Sequence, residues 1–217
     1  SDIVITRNYT GPWTLSYVRY GDGTIGCGIA NNEMKVPDDT SFIRGLLELD
    51  AYDAISELDD REGSVFINSL LTSITSALSY KMMNDEEALR REGYSVITSI
   101  APDMSAMMGL SRFVREADVV AMVGFHVTLT PLVADIANKV NVTELMDLRD
   151  IEVTDFSMEK SNVEVFPAAQ NRNVLREADV VYITGETIVN NTIDELLEFS
   201  RKARTRIIYG PTSSFYP

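Results

Sequence analysis

Arg115-Glu116-Ala117-Asp118-Val119-Val120 recurs 61 positions later as Arg176-Glu177-Ala178-Asp179-Val180-Val181, and at the same spacing Gly124 is matched by Gly185. In each copy a helix ends in charged residues, an aspartate opens a strand, the strand runs to a glycine, and a new helix starts a few residues on. Six consecutive identities argue for a duplicated βα unit. Thr192 with Glu195 fits a capping box at the second helix start, and Thr130 before Pro131 reads as a cap followed by proline at the first helical position. Parallel βα units in one sheet require right-handed crossovers, which put every strand's carboxyl end on one edge. That edge is where open α/β sheets bind ligands.

Working outward, residues 119–123, 143–148, 180–183 and 207–209 are short apolar runs of the kind buried on both faces of a parallel sheet. Amphipathic helices are predicted between them, near residues 132–140, 168–177 and 193–203. Residues 151–165 fit a strand pair or an irregular insertion equally. The pattern predicts a Rossmann-like α/β domain over residues 84–217.

The first 83 residues read differently. Residues 13–20 and 24–30 form a predicted β-hairpin around Gly21-Asp22-Gly23, where glycine supplies the positive φ of a tight turn. Helical spacing follows over residues 41–49 and 65–82. A hairpin followed by helices predicts a small α+β subdomain over residues 1–83. The polar passage 84–93 marks the boundary, and residues 94–100 read as a short strand or connector.

The chain has 217 residues with a net charge of −14, a balance that repels phosphate backbones and speaks against nucleic acid as a partner. No apolar run is long enough for a bilayer and no leader precedes the first strand, so no membrane partner and a cytoplasmic location are expected. The basic group Arg201, Lys202, Arg204 and Arg206 is read as complementing the dipole at a helix end. A single cysteine, Cys27, and a single histidine, His126, leave no zinc site of the usual nitrogen and sulfur type. A metal would be held by carboxylates, water or its own ligand. Gly21-x-Gly23-x-x-Gly26 matches the dinucleotide fingerprint as a string, but it sits in a hairpin instead of opening a helix, so turn chemistry and close backbone approach are the expectation.

The loop Thr184-Gly185-Glu186-Thr187-Ile188-Val189-Asn190-Asn191-Thr192 follows a buried strand and holds six polar side chains where a cap needs one. His126 stands two residues past Gly124 in the corresponding loop, and Gly210-Pro211-Thr212-Ser213 ends a third strand. The helices starting near Pro131 and Ile193 carry free N–H groups that favour anions, whereas Glu186 suits a cation or a ligand N–H.

These loops resemble the heavy-metal chelation family, whose chelating activity is conjectural and whose function is unknown. The stretches that carry the likeness are Val123-Gly124-Phe125-His126 through Pro131-Leu132-Val133, Ala178-Asp179-Val180-Val181 through Thr192, and Gly210-Pro211-Thr212-Ser213. The helix containing Phe66, Ile67, Asn68, Ser69 and Leu70 is similar to an asparagine-bearing helix of the family. The resemblance implies an enolase-N-terminal-like domain joined to a Rossmann-like domain, with a ligand site in the cleft between them. Family members carry a further N-terminal helix and continue past the Gly-Pro loop, so either a short member or a missing segment is expected.

The reading that follows is a protein binding a small ligand, metal-chelating or anionic, through Asn68, Gly124, Phe125, His126, Thr184, Gly185, Glu186, Thr187, Asn190, Asn191, Thr192, Gly210, Pro211, Thr212 and Ser213. Two alternatives stay open. One is a nucleotide-cofactor enzyme, with Asp147 or Asp150 on a ribose hydroxyl. The other is a non-enzymatic interaction module whose loops are capped turns. Cofactor identity, catalysis and homo-oligomer formation are left open by the residues.

Overall fold

A computed structural model describes residues 2–6, 12–33, 35–61, 63–96, 110–145 and 161–214. The described residues fall into two compact units. One takes residues up to 96 together with Gly185–Thr192 and residues 210–214; the other takes residues 110–184 and Ile193–Tyr209. The segments 185–192 and 210–214 lie beyond residue 83 in sequence yet pack with the first unit.

The first unit is built on an antiparallel sheet in the order β1 (Asp2–Thr6), β2 (Trp13–Arg19), β3 (Ile25–Asn31). Helices α1 (Phe42–Leu46), α2 (Ala51–Asp59), α3 (Val65–Met83) and α4 (Glu86–Arg91) follow. The long helix α3 buries Leu70 and Ile74 in an apolar cluster with Leu46, Ala54 and Leu58. Its other buried positions include Ser69, Ser73 and Ala77, and these meet the sheet. There Thr14 Oγ1 and Ser69 Oγ lie 2.8 Å apart, and Ser16 Oγ and Ser73 Oγ 2.6 Å apart. The Tyr20 hydroxyl donates to the carbonyls of Ala77 and Leu78. Each such bond contributes about 1 kcal/mol net, and leaving one buried partner alone costs more. A helix can lie this close only because β3 alternates in Gly26 and Gly28, where any Cβ would run into the α3 backbone at Ala77 and Ser73. The glycine string at 21–26 is therefore a turn plus a close helix approach, as the hairpin context suggested.

Among the described residues, the second unit runs through α5 (Leu110–Phe113), β4 (Val119–Val123), α6 (Leu129–Ala134), β5 (Lys139–Glu144) and β6 (Val163–Pro167). After a 3-10 turn come α7 (Asn171–Arg176) and β7 (Val180–Thr184). The short α8 (Glu186–Val189) belongs to the first unit. Then α9 (Ile193–Phe199) leads into β8 (Thr205–Tyr209). All five strands are parallel, in the order β6-β5-β4-β7-β8. The first strand thus lies at the centre with later strands added on either side, which is the Rossmann-like arrangement. Its strand order reverses between β4 and β7. Val120, Met122, Val140, Val142, Val180 and Tyr182 build the core on one face, and Ala121, Val123, Val181, Ile183, Leu175 and Leu196 build it on the other.

The repeated motif supplies the two neighbouring central strands. In both copies the aspartate carbonyl receives the chain entering the next strand. Asp118 O accepts from Asn138 and Lys139 N–H, and Asp179 O accepts from Arg204 and Thr205 N–H. The side chains differ in use. Asp179 accepts from Val119 N–H, whereas Asp118 is buried and bound by Arg204 in a two-pronged ion pair at 3.1 and 2.7 Å. The Arg204 guanidinium is the main reason the Asp118 carboxyl is held below the usual carboxylate range. Arg204 therefore serves a buried partner 86 residues away, a role the helix-dipole reading of the basic group does not include.

Two sequence expectations shift. The helix expected near 132–140 is α6, already ended at Ala134, and the strand expected at 143–148 is β5, which starts at Lys139. Pro131 sits third in the helix, where its missing N–H is no loss. Polar Asn141 and Thr143 break what would otherwise be an apolar run. Both lie on the face shared with Ala121 and Val123. Among the described residues, Asn141 Oδ1 and Thr143 Oγ1 are buried without a hydrogen-bond partner, as is the Tyr182 hydroxyl, whose pKa burial pushes up to about 12. An unpaired buried hydroxyl costs about 1–3 kcal/mol, so Thr143→Val is expected to stabilise the chain by about 1 kcal/mol in urea denaturation. A destabilised variant would show that the hydroxyl is engaged. Of residues 151–165, those up to 160 lie outside the described residues, as do 97–100; residues 163–165 belong to β6.

Candidate functional site

The predicted residues divide between the two units. On the second unit, β4 ends at Gly124, whose φ of +87° favours glycine and whose Cβ would lie 3.0 Å from Thr184 Cγ2. The chain then turns through Phe125 and His126 into α6, and nearly every N–H of that turn is consumed locally. Phe125 N–H donates to Glu144 Oε2 at 2.9 Å, and Glu144 Oε1 accepts from Leu145 N–H at 2.7 Å. His126 N–H donates to Thr130 Oγ1 at 3.3 Å, while Thr128 and Leu129 N–H donate to His126 Nδ1 at 3.2 and 3.0 Å. Thr130 N–H donates to the His126 carbonyl. The helix begins at Leu129, so Thr130 lies in its first turn and His126 takes over the cap expected of it.

The expected anion site lies at the start of α6. Anion binding there needs free N–H groups, and these donors already serve Glu144, His126 and Thr130. The same N–H groups are the ones a pyrophosphate would meet at a first βα turn, and here they have local partners. Asp147 and Asp150, considered for a ribose, lie outside the described residues. The acid that reaches the turn is Glu144, at the end of β5, and it binds the chain itself. Tyr209 donates its hydroxyl to the Gly124 carbonyl at 3.3 Å, and its ring meets those of His126 and Tyr182 edge-on.

On the first unit, the segments after β7 and β8 meet residues far away in sequence. Asn31, at the end of β3, donates from Nδ2 to Glu186 Oε1 at 2.6 Å and from its backbone N–H to Thr212 Oγ1 at 3.1 Å. Its own Oδ1 accepts from Glu33 N–H. Asn32 Nδ2 donates to Thr14 Oγ1. Asn68 projects from α3 and donates to the Val189 carbonyl at 2.7 Å. Ser76 donates to the Ser214 carbonyl. Thr187 and Thr212 are buried, Glu186 and Asn190 half-buried, and Asn191 exposed with φ +58°. Gly185 must lack a side chain, because a Cβ would approach Ser213 N to 2.8 Å. The Thr192 hydroxyl, expected as a helix cap, donates to Asn190 Oδ1 at 2.8 Å.

Asn31 and Asn32 were missed by sequence reading. They follow a hairpin strand in an ordinary polar stretch, and nothing local marks a bond spanning 155 or 181 residues. Among the described residues, no three His, Cys, Asp or Glu side chains come together as a metal cluster. Cys27 is exposed. The described residues thus offer no cluster for a resident soft metal.

The model of a family described as "Putative heavy-metal chelation" (DUF364) matches residues 107–217. A crystal structure of a protein of unknown function from that family in Desulfitobacterium hafniense is similar over 100% of this chain and 72% of its own, with a TM-score of 0.66 and 23% identity. Another, from Pyrococcus horikoshii, covers 100% and 76%, with a TM-score of 0.65 and 18% identity. At these identities the likeness concerns the fold. An uncharacterised protein of Methanocaldococcus jannaschii is 32% identical over 78 residues, 36% of this chain, and the match spans 30% of that relative's length. Among the described residues, no helix is long and apolar enough to cross a membrane.

Proposed function

This chain belongs to the heavy-metal chelation family, and from that membership we propose that it binds a small ligand carrying a metal ion or an anionic group, with Glu186 at the binding site. The observation that supports this reading is the convergence on Asn31. Its amide holds the Glu186 carboxylate and its backbone holds the Thr212 hydroxyl, so both strand-end segments are fixed to one residue. A capped loop needs one polar residue; this one sets a half-buried carboxylate among amides and hydroxyls. The carboxylate suits a cation or a ligand N–H, and the neutral groups suit ligand oxygens. The metal is cargo, completing its coordination with water or with the oxygens of its own ligand.

Calorimetric titration of the full chain tests this, using Zn²⁺ alone and Zn²⁺ with inorganic phosphate. Glu186→Gln keeps the size and the hydrogen bond to Asn31 but removes the charge. It is expected to weaken Zn²⁺ binding about tenfold or more, the scale of one charge-assisted contact. Equal affinity in wild type and variant would refute the assignment.

A further inference from the structure

His126 is the one histidine of the chain and the residue a metal-binding reading turns to first. Its ring is already committed on one side. Thr128 and Leu129 N–H both donate to Nδ1, and an atom accepting two N–H groups carries no hydrogen. In the neutral ring the single hydrogen is therefore on Nε2. Among the described residues nothing accepts a hydrogen bond from Nε2, and the ring's other neighbour is Tyr209, edge-on at 6.0 Å between centroids. The imidazole is exposed.

Metal-ligating histidines show the opposite polarity. Their second nitrogen donates its N–H to a carboxylate or carbonyl, which leaves the ligating nitrogen a free lone pair. Here the lone pair is spent on the turn and the hydrogen faces outward. Coordination through Nε2 would need either a fully deprotonated ring or the loss of both bonds that hold the start of α6. We infer that His126 meets its ligand as an Nε2–H donor to a carboxylate, phosphate or carbonyl oxygen and is not a metal ligand. This rests on the small-ligand reading above for there being a ligand with such an oxygen.

The ring's nitrogen pattern decides the matter. In the full chain labelled with ¹⁵N-histidine, long-range ¹H–¹⁵N spectra are expected to show Nε2 protonated and Nδ1 as an acceptor. The pattern should persist when stoichiometric Zn²⁺ is added. An Nδ1–H ring, or loss of the Nε2 hydrogen on adding Zn²⁺, overturns the inference. Asparagine places an oxygen where Nδ1 stands, so His126→Asn should keep the thermal midpoint near wild type. His126→Ala should lower it by about 3 °C, the shift of a lost cap in a chain of this size. A midpoint that falls equally in both variants also counts against the assigned Nδ1 role. Whether Zn²⁺ or phosphate binds at all is read separately by calorimetry, so the proposed function and this inference can fail independently.

Discussion

Gly28→Ala is expected to cost about 3 kcal/mol or more, the upper range for forcing atoms into a packed interior. A Cβ at residue 28 would lie 2.6 Å from Ala77 N and press on the Ser73 carbonyl. These are backbone atoms in the middle of α3, so no side-chain rotation relieves the clash. The helix must retreat, and the Ser16–Ser73 and Thr14–Ser69 hydroxyl pairs would separate with it. Gly21→Ala is the matched control, because its added methyl meets nothing within 4 Å. Urea midpoints of the two variants check the point: a Gly28→Ala protein as stable as Gly21→Ala would mean that the sheet and α3 are not in the contact described.

A loss of similar size is expected for Arg204→Ala. Asp118 is 4% exposed, and the guanidinium is its only cationic partner in the ion pairs of the described residues. Removing one member of a buried pair costs about 3–5 kcal/mol, and Asp118 would keep only the Arg115 N–H on its Oδ2. Arg204 is itself partly exposed, and water can reach the vacated side, so the lower end applies. The pH dependence has a definite sign. Asp118 has a lowered pKa in the folded state, so its contribution is present in full above the ordinary carboxylate range. It is lost as pH falls through the lowered folded value. The gap between wild type and Arg204→Ala should therefore be widest near neutrality and shrink on acidification. Denaturant midpoints measured down the pH series test this, and a gap independent of pH would assign the loss to packing of the arginine stem.

Both residues show where sequence reading reaches and where it stops. β4 and β7 are legible because a central parallel strand is buried on both faces and reads as one apolar run. The repeat adds that the two strands are alike. β5 occupies the same sheet but carries Asn141 and Thr143 inward, so its apolar signal is broken and its start was placed four residues late. α2 was overlooked because two of its three buried positions, Ala51 and Ala54, are small, and acids stand between them and Leu58. The Thr184–Thr192 loop stood out by its excess of polar groups. Its partner Asn31 did not, since a bond across 155 residues leaves no local trace. His126 was noticed for its rarity, but its use as a cap follows from ring orientation, which spacing does not encode.

The first unit is completed by residues 185–192 and 210–214, and this has a consequence for synthesis. On the ribosome the hairpin and α3 emerge well before their partners exist. Asn31 N–H waits 181 residues for the Thr212 hydroxyl, and Ser76 waits 138 for the Ser214 carbonyl. At about 5–20 residues per second that is roughly ten seconds or more with those donors left to water. The usual order, in which an amino-terminal unit is finished before the next is made, does not hold for this chain. Of the two units, the one begun earlier closes only after β8 has been translated, so its hairpin and α3 stay exposed to chaperones throughout the making of the other.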